Sequence, residues 1–383
     1  FENEMNDTGF LQNMFDDTSV GAASNALNAW YLKHARDLPW RQKPDLYGTW
    51  LSEIMLQQTR VETGIPKWFA FRDRFPTVTD LAQAEEDDVL KAWEGLGYYR
   101  RARLLHRAAQ AIHEAGEFPS THAEWLALPG VGPYTAAAIA SIGLGEAVAA
   151  VDGNVQRVVA RWLGMAHPVD SKVGIQHVQA TADAWLNGTA SSRTNPGDHN
   201  QAVMELGALV CTPRQPQCDT CPLAATCASS QNESMWSRLP VKLPKKKPTS
   251  WKLNWHVVKS GRHVAVVQRP EDGVWAKLWA FPEHAPPGEF ASMGELFDPV
   301  THVLSHRKIT ATIRGWEAPN REGLERFAQS QGGVAVDWVQ LAELARPRLM
   351  TKMWDQLSLF VGEANCAQSS TFEPWQESTK SSS

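Results

Sequence analysis

The chain lacks any long hydrophobic run, and none of its apolar stretches reaches the roughly 20 residues that a membrane-spanning helix needs. Its start also lacks the basic stretch and apolar core of a secretion signal. Both absences argue against a membrane protein and a secreted one, so we expect a cytoplasmic location. No sequence repeat of roughly 20 to 50 residues is visible, which argues against a repeat array.

Positive charge is also scarce. The formal net charge is -5, which has the wrong sign for a protein that binds nucleic acid through its overall charge. Five acidic residues lie in the first twenty positions, and the rest of the chain has 37 acids and 37 bases. Since a local basic face can bind DNA whatever the total, net charge neither supports nor excludes that partner. We interpret residues 1 to about 22 as a disordered acidic tail.

The length of 383 residues fits two domains better than one. Residues 23–231 show repeated helix-period stripes and are rich in Ala, Leu and Trp, which predicts a helical domain. A linker over residues 232–250 follows, because its Pro/Lys-rich stretch 239–248 breaks helix and strand alike. We assign residues 251–364 to a second domain and residues 365–383 to a disordered tail.

The second domain has the pattern of an α+β fold. Strands are predicted over Trp255–Lys259, His263–Gln268 and Lys308–Trp316, where apolar side chains cluster or alternate. Helices are predicted near Arg321–Gln329 and Gln340–Arg346.

Cysteine is rare in the chain, yet four of the five cysteines fall within seventeen residues, as Cys211-x6-Cys218-x2-Cys221-x5-Cys227. Four thiolates in one short loop can enclose a metal centre. Zinc usually takes two Cys-x2-Cys pairs and only one is present, while a disulfide cluster is disfavoured in a reducing cytoplasm. The spacing favours a 4Fe-4S cluster over zinc or over no metal. We interpret Cys366 as a free thiol.

The segment Leu128-Pro-Gly-Val-Gly-Pro-Tyr134 is typical of a helix-hairpin-helix turn. Gly130 and Gly132 permit a tight turn with bare backbone, Pro133 suits the first position of a helix, and Gly143 is placed to end that helix. Backbone N–H groups at such a helix start can bind a DNA phosphate without reading sequence. An ordinary helix turn is the simpler alternative.

Two carboxyls are candidates for chemistry, although each has a simpler local explanation. Asp152 precedes a helical run and is explained locally as an N-cap. It lies twenty residues after Gly132, enough for one helix and a return, so it can face the same DNA strand. Glu53 lies in a predicted helix over Trp50–Thr59, where a lone Glu is usually a solvated surface residue.

These features together resemble the MutY family of adenine DNA glycosylases, over nearly everything from about Asn25 to Leu359. The helical half is similar to the wider endonuclease III superfamily, whose members share the hairpin, the aspartate and the cysteine loop. Within that superfamily, the stretches Leu51–Thr59 and Gly95–Tyr99 resemble the MutY family in particular.

The resemblance implies an activity at the start of base excision repair. It implies that adenine mispaired with 8-oxoguanine or guanine in double-stranded DNA is flipped out and released by acid-assisted hydrolysis of its N-glycosidic bond. Glu53 matches the general acid that protonates adenine N7, and Asp152 the carboxylate that stabilises the sugar cation. Tyr134 and Asn154 match the groups that steady these carboxyls and the attacking water. Endonuclease III has a lysine where Tyr134 stands, and a phenol cannot form an imine, so a monofunctional enzyme is implied.

The resemblance also implies DNA-contacting residues. Gly130 and Gly132 match the phosphate-binding hairpin, and the cysteine loop would bring basic residues such as Arg214 against phosphates. Tyr98 would intercalate between bases. The residues that match the adenine pocket are Trp40, Arg41, Leu56 and Gln201, and those that match the wedge beside the oxidised guanine are Gln58, Thr59 and Tyr98.

The second domain resembles the Nudix-like (MutT-like) extension of the family. An active Nudix enzyme carries a Glu-rich helix for magnesium, but residues 283–287 break any helix here, so we expect binding without hydrolysis. The matching segments are Gln268–Pro270, Gly273–Trp275 and Leu278–Pro282.

A loop of this domain matches the family loop that touches oxidised guanine, through Ser305 and His306. Leu304 stands where the family has an aromatic residue, which leaves no ring to stack at this position. Gln156 stands where some relatives have a lysine, and this removes a phosphate contact.

The sequence therefore predicts an all-α helix-hairpin-helix DNA glycosylase domain with an iron-sulfur loop, plus an α+β Nudix-like domain. We expect a monomer that acts on the nucleoid in a bacterial cytoplasm. A bifunctional glycosylase for oxidised pyrimidines is the second enzymatic candidate, disfavoured by Tyr134 and by the second domain. A non-catalytic mismatch sensor, with Glu53 as a surface acid and Asp152 as a helix cap, is the alternative from another class.

Overall fold

The computed structural model of the protein divides into two compact units between Lys246 and Lys247. The described part of the first unit is helical, and the second unit combines a sheet with helices, which confirms the predicted fold class. No helix in the described residues is long and apolar enough to cross a membrane. The residues that the structure describes are 17–188, 195–230, 232–244, 247–304 and 306–361.

The helices of the first unit are mostly short, and polar caps or glycines mark many of their ends. Thr77 and Asp80 form a reciprocal capping box, for example, and Gly116 ends a helix at a φ of 80°. In chain order they are α1 Asp17–His34, α2 Pro39–Gln42, α3 Leu46–Met55, α4 Val61–Arg74, α5 Val78–Gln83, α6 Glu86–Ala92, α7 Arg100–Ala115, α8 His122–Ala127, α9 Pro133–Leu144, α10 Gly153–Leu163, α11 Lys172–Asn187, α12 Pro196–Leu209 and α13 Glu233–Trp236, with a 3-10 turn at Cys218–Thr220.

Large aromatic side chains fill the interior of the helical unit. Trp50, Trp93, Trp125 and Trp185 are fully buried, and such side chains contribute much of the apolar area that stabilises a core. α3 packs on α9, and α12 packs on α1, α9 and α10. This packing brings the start of α9, the start of α10 and the middle of α3 to one place.

Two sequence predictions about helix ends are wrong. The helix predicted over Trp50–Thr59 ends at Met55, because Gln58 adopts a φ of 58° that no helix allows. Gly143 does not end α9, which continues to Leu144 and is capped by Gly145 at a φ of 71°. Gly143 has a packing role instead, since a Cβ there would lie 2.5 Å from the Leu46 side chain.

The second unit contains one seven-stranded sheet and four helices in the residues described. β1 is parallel to β6, whereas the other strand pairs are antiparallel. The main path of the sheet is β3-β2-β1-β6-β4, with β5 on β6 and β7 on β2. The elements are β1 Thr249–Ser260, β2 His263–Gln268, β3 Trp279–Ala280, β4 Ala291–Glu295, β5 Val300–Val303, β6 Arg307–Glu317, α14 Arg321–Ser330, β7 Gly333–Asp337, α15 Trp338–Glu343, α16 Arg348–Lys352 and α17 Trp354–Val361.

Buried side chains point to both faces of the sheet, and a hydrophobic core forms on each face. Trp255 and Ile313 belong to one cluster, which α15, α16 and α17 complete. Val258 and Leu324 belong to the other, against α14. The predicted strands are present, but β1 starts earlier than expected, at Thr249.

The proline-rich stretch after α13 contains neither helix nor strand over residues 239–244. It is held to the helical unit by hydrogen bonds, from Val169 N to Val241 O (3.0 Å) and from Leu243 N to Asp170 Oδ1 (2.8 Å). The limits predicted for domains, linker and tails otherwise stay predictions. The two tails lie outside the described residues for the most part, as does Cys366.

Candidate active site

A cavity of about 1260 Å³ opens in the helical unit. Residues from α2, α3, α9, α10 and α12 line it, together with the turn that follows α3. It gathers ten of the eleven residues predicted for catalysis, for the adenine pocket and for the wedge. These ten are Trp40, Arg41, Glu53, Leu56, Gln58, Thr59, Tyr134, Asp152, Asn154 and Gln201.

Glu53 and Tyr134 meet because α3 packs against α9. Asp45 caps α3 by accepting a hydrogen bond from Gly48 N (2.7 Å), and Pro133 begins α9, which puts Tyr134 in its first turn. The Tyr134 hydroxyl donates a 2.6 Å hydrogen bond to Glu53 Oε2. Glu53 is therefore not the solvated surface residue that its local sequence suggests.

The environment of Glu53 favours its protonated form. Burial raises the pKa of Glu53 to about 7, against the opposing hydrogen bond from Tyr134, and the charge of Asp152 raises it further. Burial also raises the pKa of Tyr134 well above its usual value, so the phenol stays protonated and donates. A carboxyl that titrates near neutral pH can hold a proton and deliver it, which is what general acid catalysis requires.

Replacing Glu53 by Gln should raise the free energy of unfolding at pH 8 and leave it little changed at pH 4.5. The folded-state pKa lies above the unfolded value, so the folded protein binds the extra proton and loses stability as pH rises from about 4.5 to about 7. The variant lacks this loss, which amounts to about 3 kcal/mol at roughly 1.36 kcal/mol per pKa unit. Denaturant titrations of both proteins across this pH range check the prediction.

The control for this experiment is Glu114→Gln, at an exposed position on α7. A stability difference for Glu53→Gln that does not grow with pH would contradict the raised pKa.

Asp152 is the N-cap of α10, as its local sequence predicts, and it also lines the cavity. Its Oδ1 accepts hydrogen bonds from Asn154 N (2.8 Å) and Val155 N (2.7 Å), and its Oδ2 accepts one from Asn154 Nδ2 (2.7 Å). Burial raises the pKa of Asp152, although these bonds oppose the rise. The same carboxyl can therefore cap the helix and present negative charge to the cavity.

Arg157 is a residue of this site that sequence reasoning missed. Its Nη2 donates to Asn154 Oδ1 (2.8 Å) and to Gly207 O (2.7 Å), and its Nε donates to Cys211 O (2.7 Å). The bond to Oδ1 orients the Asn154 amide so that Nδ2 faces Asp152. The i, i+3 spacing of Asn154 and Arg157 on one helix is the signal that could have revealed it.

Glu205 was also missed, and it organises the predicted adenine pocket. It is 1% exposed and forms ion pairs with Arg36 (2.8 Å) and Arg41 (3.2 Å), while Arg41 Nε donates to Gln201 Oε1 (2.8 Å). Burial alone would raise the pKa of Glu205, but the bonds from both arginines outweigh it and lower the pKa to about 2. The carboxylate thus stays charged and holds Arg41 in place. Trp40 is buried and lines the same cavity.

The predicted wedge comes from two loops. Gln58 and Thr59 follow α3 and line the cavity, whereas Tyr98 lies in the loop before α7, does not line the cavity and is 49% exposed. Gln58 and Tyr98 have φ angles of 58° and 49°, in the left-handed region that non-glycine residues seldom adopt. Such strain is commonly found at functional sites.

The predicted hairpin connects α8 to α9. Gly130 has a φ of 77°, and a Cβ there would lie 2.5 Å from the Leu104 side chain, so the turn requires glycine. Gly132 is the N-cap of α9. Phosphate binding by these glycines stays a prediction.

The four cysteines border one small cavity next to the helical core. Burial, with smaller contributions from the neighbouring cysteines, raises the pKa of Cys221 to about 12, so a positive centre would be needed to hold this residue as a thiolate. No three His, Cys, Asp or Glu side chains of the described residues converge in a way that would hold a single metal ion. Arg214 in this loop is exposed.

The predicted lesion-reading loop lies between β5 and β6 in the second unit. His306 is exposed, and its carbonyl accepts a hydrogen bond from Thr249 N (3.1 Å). Leu304 N donates to Arg307 O (2.8 Å), which closes the turn, and Ser305 lies outside the described residues. No helix forms between β3 and β4, over residues 281–290, as the sequence predicts for this segment.

Known protein families match a part of each unit. A family described as HhH-GPD superfamily base excision DNA repair protein matches residues 51–177, and a NUDIX domain matches residues 254–356. The adenine DNA glycosylase of Buchnera aphidicola subsp. Schizaphis graminum is 37% identical over 259 residues, which cover 67% of this chain and 73% of that protein. The adenine DNA glycosylase of Homo sapiens is 35% identical over 379 residues, which cover 78% of this chain and 68% of that protein.

The chain belongs to the adenine DNA glycosylase family.

Adenine DNA glycosylase membership confirms the predicted family and the predicted class of enzyme, a DNA glycosylase of base excision repair. A thermostable thymine-DNA glycosylase of known structure shares the helical fold, with a TM-score of 0.51 and 24% identity over 56% of this chain and 97% of that one. At that identity the likeness shows the fold alone. The HhH-GPD match includes Glu53, Tyr134 and Asp152, and the NUDIX match includes His306.

Proposed function

We propose that this protein flips adenine out of a mispair with 8-oxoguanine or guanine in double-stranded DNA and hydrolyses its N-glycosidic bond. The observation that carries the proposal is the 2.6 Å hydrogen bond from Tyr134 to Glu53, in a cavity that Asp152 also lines. One carboxyl there can hold a proton near neutral pH, and the other is held by three hydrogen bonds that favour its charged form. Two carboxyls in different environments are the usual arrangement for acid-assisted glycoside cleavage.

In the proposed reaction, Glu53 transfers its proton to adenine N7, so that the bond between the sugar C1′ and adenine N9 breaks with adenine leaving as a neutral base. Positive charge develops on the sugar, and Asp152, held by Asn154 and Val155, stabilises it. Water then adds to C1′ and gives a proton to the Glu53 carboxylate, which restores the acid and leaves an abasic site. The cavity must receive an extruded base, because the bond is out of reach inside a stacked duplex.

The adenine pocket in this proposal consists of Trp40, Arg41, Leu56 and Gln201. Arg41 is held between Gln201 and Glu205, and this rigidity supports its role as a fixed hydrogen-bond donor. A pocket whose polar groups are fixed before binding loses less entropy when the base enters.

The proposed enzyme is monofunctional, since a lyase step requires an amine nucleophile that forms an imine with C1′. No lysine lines the cavity in the described part of the chain, and Tyr134 stands in the first turn of α9.

Borohydride should therefore trap little or no covalent DNA adduct with the native protein, whereas Tyr134→Lys should gain both trapping and strand cleavage. The phenol cannot become an imine, but an amine at this position would face the same carboxyls. Gel analysis of labelled duplex after borohydride treatment measures both. Efficient trapping by the native protein would instead favour the bifunctional glycosylase.

The four cysteines Cys211, Cys218, Cys221 and Cys227 would hold a 4Fe-4S cluster. A bound cluster would cross-link the loop through four thiolates, and Arg214, which is exposed in this loop, would then be available to DNA phosphates. The main chain supports this arrangement, because Arg157 and Arg161 both donate to backbone carbonyls of this loop, at Cys211 O and Thr212 O.

Purified protein should be brown and contain about four irons per chain. Cys221→Ser should destabilise the loop and weaken DNA binding more than it slows excision by the bound enzyme, because ligand loss acts through folding. Iron analysis and binding titrations measure the two effects. A colourless, zinc-loaded and fully active preparation would refute the cluster.

The function itself is tested with duplexes that differ only in the base opposite adenine. We expect single-turnover adenine release opposite 8-oxoguanine and guanine, and slower or no release opposite thymine. A protein that binds these mispairs without releasing base would be the non-catalytic mismatch sensor, and strand nicking without added lyase would indicate the bifunctional enzyme.

A further inference from the structure

Arg101, one residue after the start of α7, gathers backbone carbonyls from two separate segments. Its Nη1 donates to Ile54 O (2.8 Å), to Met55 O (3.3 Å) and to Gln57 O, at the end of α3. Its Nη2 donates to Leu96 O (3.1 Å) and Gly97 O (3.4 Å), in the loop before α7. One guanidinium thus connects the turn after α3 with the loop before α7.

Two of the acceptors, Ile54 O and Met55 O, are carbonyls at the end of a helix. The last four carbonyls of a helix have no partner within it, and Ile54 and Met55 belong to that set in α3. A cation at a helix C-terminus is also favoured by the helix dipole. Arg101 therefore caps the C-terminus of α3 by donating side-chain hydrogen bonds to its last carbonyls. Many helices end instead with a glycine in the left-handed conformation.

The two strained residues of the predicted wedge each follow a carbonyl that Arg101 holds. Gln58, at a φ of 58°, comes directly after Gln57, and Tyr98, at a φ of 49°, comes directly after Gly97. Strained conformations persist only where the surroundings over-determine them. The Arg101 side chain donates to a carbonyl next to each of these residues.

The Tyr98 ring also contacts the guanidinium. Its centroid lies 5.4 Å from the Arg101 guanidinium carbon, and the centroid of the buried Trp93 ring lies 5.6 Å from it, so two aromatic rings are within cation–π distance of the guanidinium. Burial lowers the pKa of Arg101 to about 10, which leaves it charged at neutral pH. Tyr98 keeps half of its surface exposed while it contacts Arg101.

We propose that Arg101 is a positioning residue for recognition of the base opposite adenine, because it locks Gln58, Thr59 and Tyr98 into one preformed wedge. The inference rests on the proposed function, in which these three residues contact 8-oxoguanine. Arg101 does not line the cavity that holds Glu53 and Asp152. Its loss should therefore impair recognition of the opposite base more than bond cleavage.

The test compares Arg101→Lys with Arg107→Lys, an exposed arginine on the same helix. Lysine keeps the charge, but its compact ammonium has three donors and cannot reproduce a planar fork across two segments. For Arg101→Lys we expect single-turnover excision opposite 8-oxoguanine to fall about 30-fold and excision opposite guanine about threefold, so that the preference shrinks about tenfold. Arg107→Lys should change neither rate.

A double-mutant cycle then shows whether Arg101 acts through the wedge. In a Tyr98→Ala background, Arg101→Lys should reduce excision opposite 8-oxoguanine by no more than about threefold, since its partner is already gone. Full additivity of the two changes would overturn the proposal, and so would an equal loss opposite both bases.

Hydrogen exchange on the protein without DNA tests the same connection independently of activity. Arg101→Lys should accelerate amide exchange in residues 56–59 and 96–99 together, while α9 and α10 keep their protection. Unchanged exchange in either segment, or faster exchange throughout the unit, would overturn the role. If the native protein releases no adenine from any duplex, the proposed function fails, and the exchange measurement still decides whether Arg101 joins the two loops.

Discussion

Glu53→Gln should bind the adenine mispair with nearly native affinity and release adenine about 10²- to 10⁴-fold more slowly, the range commonly lost with a general acid. The amide keeps the size of the carboxyl and can still accept the Tyr134 hydrogen bond, but it has no acidic proton to give to adenine N7. Without that proton, adenine has to leave as an anion, which raises the barrier to bond cleavage. Single-turnover rates with saturating enzyme, measured beside binding titrations, separate the two steps.

The matched control is Glu62→Gln, because Glu62 is an exposed carboxyl on the rim of the same cavity. It should leave the excision rate within about twofold, since general acid catalysis needs a donor within hydrogen-bond reach of the base. Near-native single-turnover excision by Glu53→Gln would remove Glu53 from the proposed mechanism, and a large loss with Glu62→Gln would point to a general effect of charge in the cavity.

Removal of the second unit, from about Lys247 onward, should leave slow adenine excision and reduce the preference for 8-oxoguanine over guanine by about 10- to 100-fold. This change corresponds to about 1.4 to 2.7 kcal/mol, which lies within the roughly 1 to 3 kcal/mol typical of one lost base contact. The helical unit keeps both carboxyls and its own buried core, whereas His306 lies in the unit that is removed. Single-turnover excision on both duplexes at one salt concentration measures the ratio, since phosphate contacts change affinity with ionic strength.

Point variants of the whole chain accompany this deletion. His306→Ala should lower the preference more mildly than the deletion, and His284→Ala, at an exposed position in the same unit, should not lower it. A shortened protein that retains the full preference would show that the second unit does not read the lesion. Discrimination would then depend on Gln58, Thr59 and Tyr98 in the helical unit.

Several local features could be predicted from the sequence because neighbours along the chain determine them. Asp152 caps α10 through bonds from the amides two and three residues further along the chain, and Pro133 begins α9 because its fixed φ suits the first position of a helix. The spacing of the four cysteines is likewise local, as is the absence of a helix after β3. Rules about neighbouring residues succeed at these positions because few contacts with distant segments change the local backbone there.

Errors arose where a distant contact decided the local structure. Gly143 was predicted to end α9, but its missing Cβ serves close packing against Leu46, nearly a hundred positions away along the chain. The helix that contains Glu53 was predicted to continue to Thr59. It ends at Met55 instead, where Arg101 donates a hydrogen bond to the carbonyl of Ile54 in its last turn. Helix propensity contributes little per residue, so tertiary contacts such as these override it.

By itself the sequence determined the two fold classes, the cysteine loop, the hairpin and the residue types that its family resemblance turns into candidate roles. Only the tertiary structure decided that Glu53 is enclosed, that Tyr134 donates to it, and that Arg157, Glu205 and Arg101 hold the neighbouring groups in place. The physical reason is separation along the chain. Glu53 and Tyr134 lie 81 positions apart and Arg41 and Glu205 lie 164 apart, and burial, which sets the pKa of Glu53, exists only once those segments pack together.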